Sequence, residues 1–65
     1  MNLDPAELKA ARLARGISQA ELARRSGVHV VLIGRIESTM RANSSTMRAL
    51  TEALGIVVDV PEVVQ

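Results

Sequence analysis

Apolar positions along this chain recur at helical spacing in four blocks, each bracketed by residues that start or stop helices. The first block opens on Asp4-Pro5-Ala6-Glu7, with Asp4 at the N-cap and Pro5 at the first helical position. Glu7 stands three residues past the cap, where its side chain can close a capping box. Leu8, Ala11 and either Leu13 or Ala14 form the stripe of this block, and Gly16 ends it. The second block opens on Ser18 with Glu21, a further capping box, and turns Leu22 and Ala23 inward. It stops at Gly27 after about two turns. The third spans 29–37 with His29 as N-cap. The fourth begins at Asn43 or Ser44, runs through Met47, Leu50 and Leu54, and ends at Gly55. Beyond Gly55 the period changes to alternation: Ile56, Val58 and Val60 share one face, Val57 and Asp59 the other, and Pro61 closes the run. The pattern predicts an all-α fold, a compact bundle of four to five short helices over 1–55, with an extended apolar tail over 56–65. A lone strand has no ladder partner within such a bundle. The tail therefore pairs with the tail of a second copy, making Ile56, Val57, Val58 and Val60 a dimerisation element, or it tucks onto its own helices.

The third block is unusual in being greasy on more than one side. Five of its nine residues are aliphatic (Val30, Val31, Leu32, Ile33, Ile36), and only Arg35 and Glu37 carry charge. At about 100° per residue, seating Ile33 and Ile36 at the centre of a core places Val31 almost opposite them. Gly34 and Arg35 lie near Val31, with Val30 to one side and Leu32 at the flank. What precedes the block gives this outward face a use. Two short capped helices joined through Ser26-Gly27-Val28 have the form of a helix-turn-helix, in which glycine permits a left-handed turn and Val28 drops into the core. In that motif the second helix enters the DNA major groove while the first braces across the backbone.

Composition narrows the function classes. The chain has 65 residues, no cysteine, one histidine and no Phe, Trp or Tyr. That makes one domain, without disulfides or a thiolate metal site, and without aromatic platforms for stacking single-stranded bases. No nucleophile–base pair and no metal set is present, so neither catalysis nor a cofactor is expected. No small-molecule substrate is evident. No apolar run reaches membrane-spanning length, so a cytoplasmic, nucleoid-associated protein is expected. Formal net charge is +1, but residues 1–55 hold all eight Lys/Arg against five of the seven acids, about +3 by count. A modestly basic body with an acidic tail suits a nucleic-acid partner.

Taken together, "RLARGISQAELARRSGV", "LIGRIE" and "LTEALGI" resemble the Cro/C1-type helix-turn-helix family of phage repressors and small bacterial regulators over roughly residues 6–56. The resemblance implies a homodimer bound to a palindromic double-stranded DNA operator as a transcriptional repressor. It implies that Val30, Val31, Gly34 and Arg35 face base edges, and that Gln19 hydrogen-bonds a phosphate. Arg12 and Glu37 fall where the family ties its first helix to its third by an ion pair. Arg41 lies in a loop that usually meets the DNA backbone, and Ser18, His29, Ser44 and Ser45 are placed at helix starts that can also meet phosphate. Lys9, Arg24 and Arg25 are expected to be solvated surface.

This sequence departs from the family in two places. Base-facing positions that commonly carry Gln, Ser, Arg, Asn or Thr are Val, Val, Gly and Arg here. The glycine that usually follows the glutamate by two residues is Thr39, so the third helix continues or ends in a less tight turn. If the groove face reads DNA, Arg35 would pair with guanine O6 and N7, and the valines would touch thymine methyl groups. The competing expectation is a protein-interaction module, antitoxin-like or adaptor, that uses Val30 and Val31 as its contact.

Overall fold

The structure, a computed structural model, describes residues 3–56. Four helices follow a 3-10 turn at Pro5–Glu7: α1 Leu8–Ala14, α2 Gln19–Ser26, α3 Val30–Thr39 and α4 Ser44–Ala53. No strand occurs among the described residues. Val57, Val58 and Val60 of the expected dimerisation element lie outside them. Ile56 is inside and packs, partly buried, against the chain's own core.

Local chemistry fixes each helix start. Asp4 accepts from the Ala6 N–H while Glu7 accepts from the Asp4 N–H, so the first capping box forms, although its turn is 3-10. At α2 only half of the expected box forms. Ser18 Oγ accepts from the Glu21 N–H at 3.0 Å, but the Glu21 carboxylate takes hydrogen bonds from Arg24 and Arg25 instead of reaching back. Two charged donors outcompete one backbone amide for it. His29 caps α3, its Nδ1 accepting from the Val31 N–H at 3.1 Å, and Asn43 caps α4 by accepting from the Thr46 N–H at 2.8 Å.

Gly27 sits at φ +76°, the left-handed stop that lets α2 break and α3 leave at a new angle. Its neighbours hold the turn: the Val28 N–H donates to Ser26 Oγ, and Val28 packs against the core. At the far end of α3 the helix does run past Glu37. It stops where Met40 adopts φ +61°, a left-handed conformation on a residue with a side chain, and the Met40 N–H donates to the Ile36 carbonyl at 2.7 Å.

The core is a single cluster of Leu8, Leu22, Ile33, Ile36, Met47, Leu50 and Leu54, with Ala11, Ala23 and Val28 packed around it. Here the expectation for α1 needs correction. Leu13 is 57% exposed and Ala14 is exposed as well, while the third inward position of the helix is Arg12. A helix of seven residues presents one narrow stripe, and Leu8, Ala11 and Arg12 fill it. Thr51 is also fully buried, and its hydroxyl is satisfied twice: Oγ1 donates to the Met47 carbonyl and accepts from the Leu3 N–H. Arg15 closes the far end of α4, donating through Nε to the Leu54 carbonyl at 2.7 Å. A guanidinium beside unsatisfied C-terminal carbonyls is favoured there.

Candidate nucleic-acid interface

Two constellations define α3, one beneath it and one on its outward face. Beneath it, Arg12 reaches from α1 to Glu37 by a two-pronged pair, Nε to Oε2 at 2.7 Å and Nη2 to Oε1 at 3.0 Å. Its remaining nitrogen, Nη1, donates to the Ile17 carbonyl at 2.9 Å. Gln19 joins from the first residue of α2, donating through Nε2 to Glu37 Oε1 at 3.0 Å. The side chains of the ion pair are only 8% and 4% exposed. Every nitrogen of the guanidinium and both carboxylate oxygens thus have partners, which is what a charge pair away from water requires. The hydrogen bond from Arg12 holds the Glu37 carboxyl below the ordinary carboxylate range. Burial opposes this, and Gln19 and the charges of Arg12 and Lys9 assist it. The same partnership raises the Arg12 guanidinium.

Gly34 adjoins this knot without being required by it. A Cβ built there would meet Gln19 Oε1 at 3.7 Å, an ordinary van der Waals contact, so Gly34 lies half-buried against the amide of Gln19 on the side of α3 that faces α2. Gln19, Gly34, Glu37 and Arg12 are therefore brought together, and the Gln19 amide is oriented by Glu37.

On the outward face, Val31 is 60% exposed and lies beside Arg35 in a shallow cleft with His29 and Leu32. Val30 is half-buried and belongs to a separate depression at the turn, walled by Ala20, Ala23, Gly27 and Val28. Ser38 is exposed one helical turn beyond Arg35 and on the same side as Val31, seven residues on. It was not among the expected base-facing positions, although the seven-residue spacing from Val31 carries the signal.

The arginines separate into two groups. Arg12 is tied to Glu37, Arg24 and Arg25 to Glu21, and Arg48 to Glu52, while Arg15 donates to the carbonyls of Leu54 and Ala11. Arg24 and Arg25 are exposed, as expected, but their charge is committed: between them the Glu21 carboxyl is held down at about 2. Arg35 and Arg41 have neither an ion pair nor a side-chain hydrogen bond among the described residues. They stand on the outward side of α3 and in the loop after it.

The remaining expected contacts occupy helix starts, where first-turn N–H groups have no acceptor within the helix backbone. Ser18 and Gln19 open α2, His29 opens α3, and Ser44 and Ser45 open α4, with Ser45 Oγ donating to Asn43 Oδ1. Among the described residues no group of three or more His, Cys, Asp or Glu side chains could hold a metal ion, and no helix is long and apolar enough to cross a membrane.

A helix-turn-helix family model matches residues 8–59, which takes in all four helices. No curated protein and no solved structure gave a significant match. The chain belongs to the Cro/C1-type helix-turn-helix family, whose members are DNA-binding regulators.

Proposed function

We propose that this helix-turn-helix protein is a sequence-specific repressor, which binds double-stranded DNA as a two-fold dimer and reads the major groove with the outward face of α3. The observation that carries the reading is Arg35. It is an exposed cation without an internal partner, on the face of α3 opposite the core, in a molecule that ties down most of its other arginines. A guanidinium held free on such a helix matches guanine, whose O6 and N7 accept two parallel hydrogen bonds, and one such pair is worth about 1–3 kcal/mol of discrimination.

Positioning falls to groups that carry no sequence code. Arg41 supplies a free charge to the backbone. Gln19, fixed by Glu37 through one N–H, retains its second N–H and Oε1 beside the open N-terminus of α2, a setting suited to phosphate. Ser18, His29, Ser44 and Ser45 extend the same chemistry to three helix starts. The two-fold operator follows from dimerisation through Ile56, Val57, Val58 and Val60, with half-sites about one helical turn apart. Repression is then a matter of occupancy.

Enrichment from a random duplex library tests the class. A palindromic consensus is expected, and in anisotropy titrations Arg35→Ala should flatten the preference among variants of that consensus. Unchanged specificity in Arg35→Ala would sink the base-reading role, and no enrichment at all would shift the outward face of α3 to a protein partner.

A further inference from the structure

We propose that His29, Val31, Leu32 and Arg35 form one reading cleft for a thymine adjacent to a guanine, in which the C5-methyl group of the thymine is the principal determinant. The inference rests on the DNA-binding reading above and adds the base step that the face selects.

The walls of the cleft are aliphatic. Val31 and Leu32 are 60% and 40% exposed; Val31 points away from Ile33 and Ile36, and Leu32, one turn before Ile36, stands at the edge where the outward face meets the core. Leu32 flanks the groove-facing centre of α3 and lines the same cleft as Arg35. Val30 lies in the other depression, so Val31 and Leu32 are the pair that meets a methyl group.

The polar groups of the cleft are all donors. Arg35 has only N–H groups to offer, and none is used internally. His29 is oriented by its own helix: Nδ1 accepts from the Val31 N–H, so in the neutral ring the hydrogen is on Nε2. The cleft therefore presents a guanidinium and an imidazole N–H without an acceptor. Adenine N6 and cytosine N4 are donors in the major groove and need one. Guanine O6 and N7 and thymine O4 are acceptors, and thymine alone among the standard bases carries a methyl group there. Two aliphatic walls and a donor-only rim thus fit a thymine–guanine neighbour pair. In the order 5′-TG-3′ this is also a step that bends easily, which favours seating a helix against it.

The test separates methyl from O4. A duplex enriched from a random library is remade with thymine, uracil, 5-methylcytosine or cytosine at the position beside the guanine, with the complementary base opposite. Removing the methyl (thymine to uracil) should weaken binding about fourfold per half-site, the effect of exposing one buried carbon. 5-Methylcytosine keeps the methyl but replaces O4 with a donor, so it should bind more tightly than cytosine and more weakly than thymine. In the Val31→Ala, Leu32→Ala double variant the thymine-to-uracil ratio should fall to one, while the guanine preference set by Arg35 persists. Both side chains are exposed, and circular dichroism checks that the variant folds. Equal binding of the thymine and uracil duplexes overturns the cleft and leaves DNA reading intact. Failure to enrich any duplex overturns both.

Discussion

At the residue scale, Met40 is the position where conformation and identity disagree. The left-handed region costs an L-residue with a Cβ roughly 1–2 kcal/mol, and Met40 stands there at φ +61° with its side chain 59% exposed. Nothing in its packing accounts for methionine. Met40→Gly should therefore stabilise the domain by about 1 kcal/mol, less than the full strain because glycine also loosens the unfolded chain. For a domain of this size that is a rise of about 4–8 °C in thermal midpoint, read by circular dichroism. An unchanged or lower midpoint would show that the turn is not strained. Single-residue signals divided in the same way when read from sequence. Caps at Asp4, Ser18, His29 and Asn43 were legible because each acts on an amide two or three residues away. A left-handed methionine was not, because its conformation is imposed by where α3 must end.

At the scale of elements, the Arg12–Glu37–Gln19 knot decides how α3 is held. Glu37 titrates below its ordinary value of 4.5 because Arg12, then Gln19, stabilise the charged form against burial. A carboxyl lowered on folding stabilises the native state fully above its unfolded value, and this contribution is lost as pH falls through the lowered folded value. Stability should hold at neutral pH and decline below about 4.5, with Glu37 a principal contributor. Glu37→Gln should flatten that decline and lower stability at pH 7 by about 3–5 kcal/mol, since it leaves Arg12 as an unpaired buried charge. Urea unfolding at pH 7 and pH 4 measures both effects. If the variant is too unstable to titrate, Arg12→Met with Glu37→Leu removes both charges and should recover most of the loss. An acid profile identical to that of the unaltered protein would remove Glu37 from the account. Sequence spacing located all four helices, because capping and apolar period are local. It misplaced the α1 stripe, since apolar period does not mark a charged residue as inward; only the family resemblance pointed to Arg12, through its partner 25 residues away.

At the scale of the whole molecule, a 65-residue chain with a formal charge of +1 has little general attraction for DNA. Internal pairing reduces it further, leaving Arg35 and Arg41 as arginines without internal partners among the described residues. Each phosphate neutralised contributes about 0.9 to the slope of log affinity against log salt. If Arg41 meets one phosphate per protomer, Arg41→Ala should reduce that slope by about 1.8 for a two-fold complex and by about 0.9 for a single copy. Titrations across a salt series thus report stoichiometry as well as contact, and an unchanged slope would remove Arg41 from the interface. The fold class and the position of α3 as the second helix of the helix-turn-helix were accessible from the sequence. The division of its arginines into bound and free was not, because it depends on which acids the folded chain brings within reach.

The separation between the two sides of α3 also bears on how such a protein changes over evolutionary time. The inner side is locked: Ile33, Ile36 and Glu37 each meet buried neighbours, and altering them endangers the fold. The outward positions Val31, Leu32, Arg35 and Ser38 are solvent-facing and lie outside the buried core. If this face reads the operator as proposed, substitutions there would change which operator is chosen while folding is left nearly untouched, so a lineage of such regulators could diverge to new targets at little cost in stability. An engineer seeking a new specificity could randomise those four side chains and leave the scaffold beneath them alone.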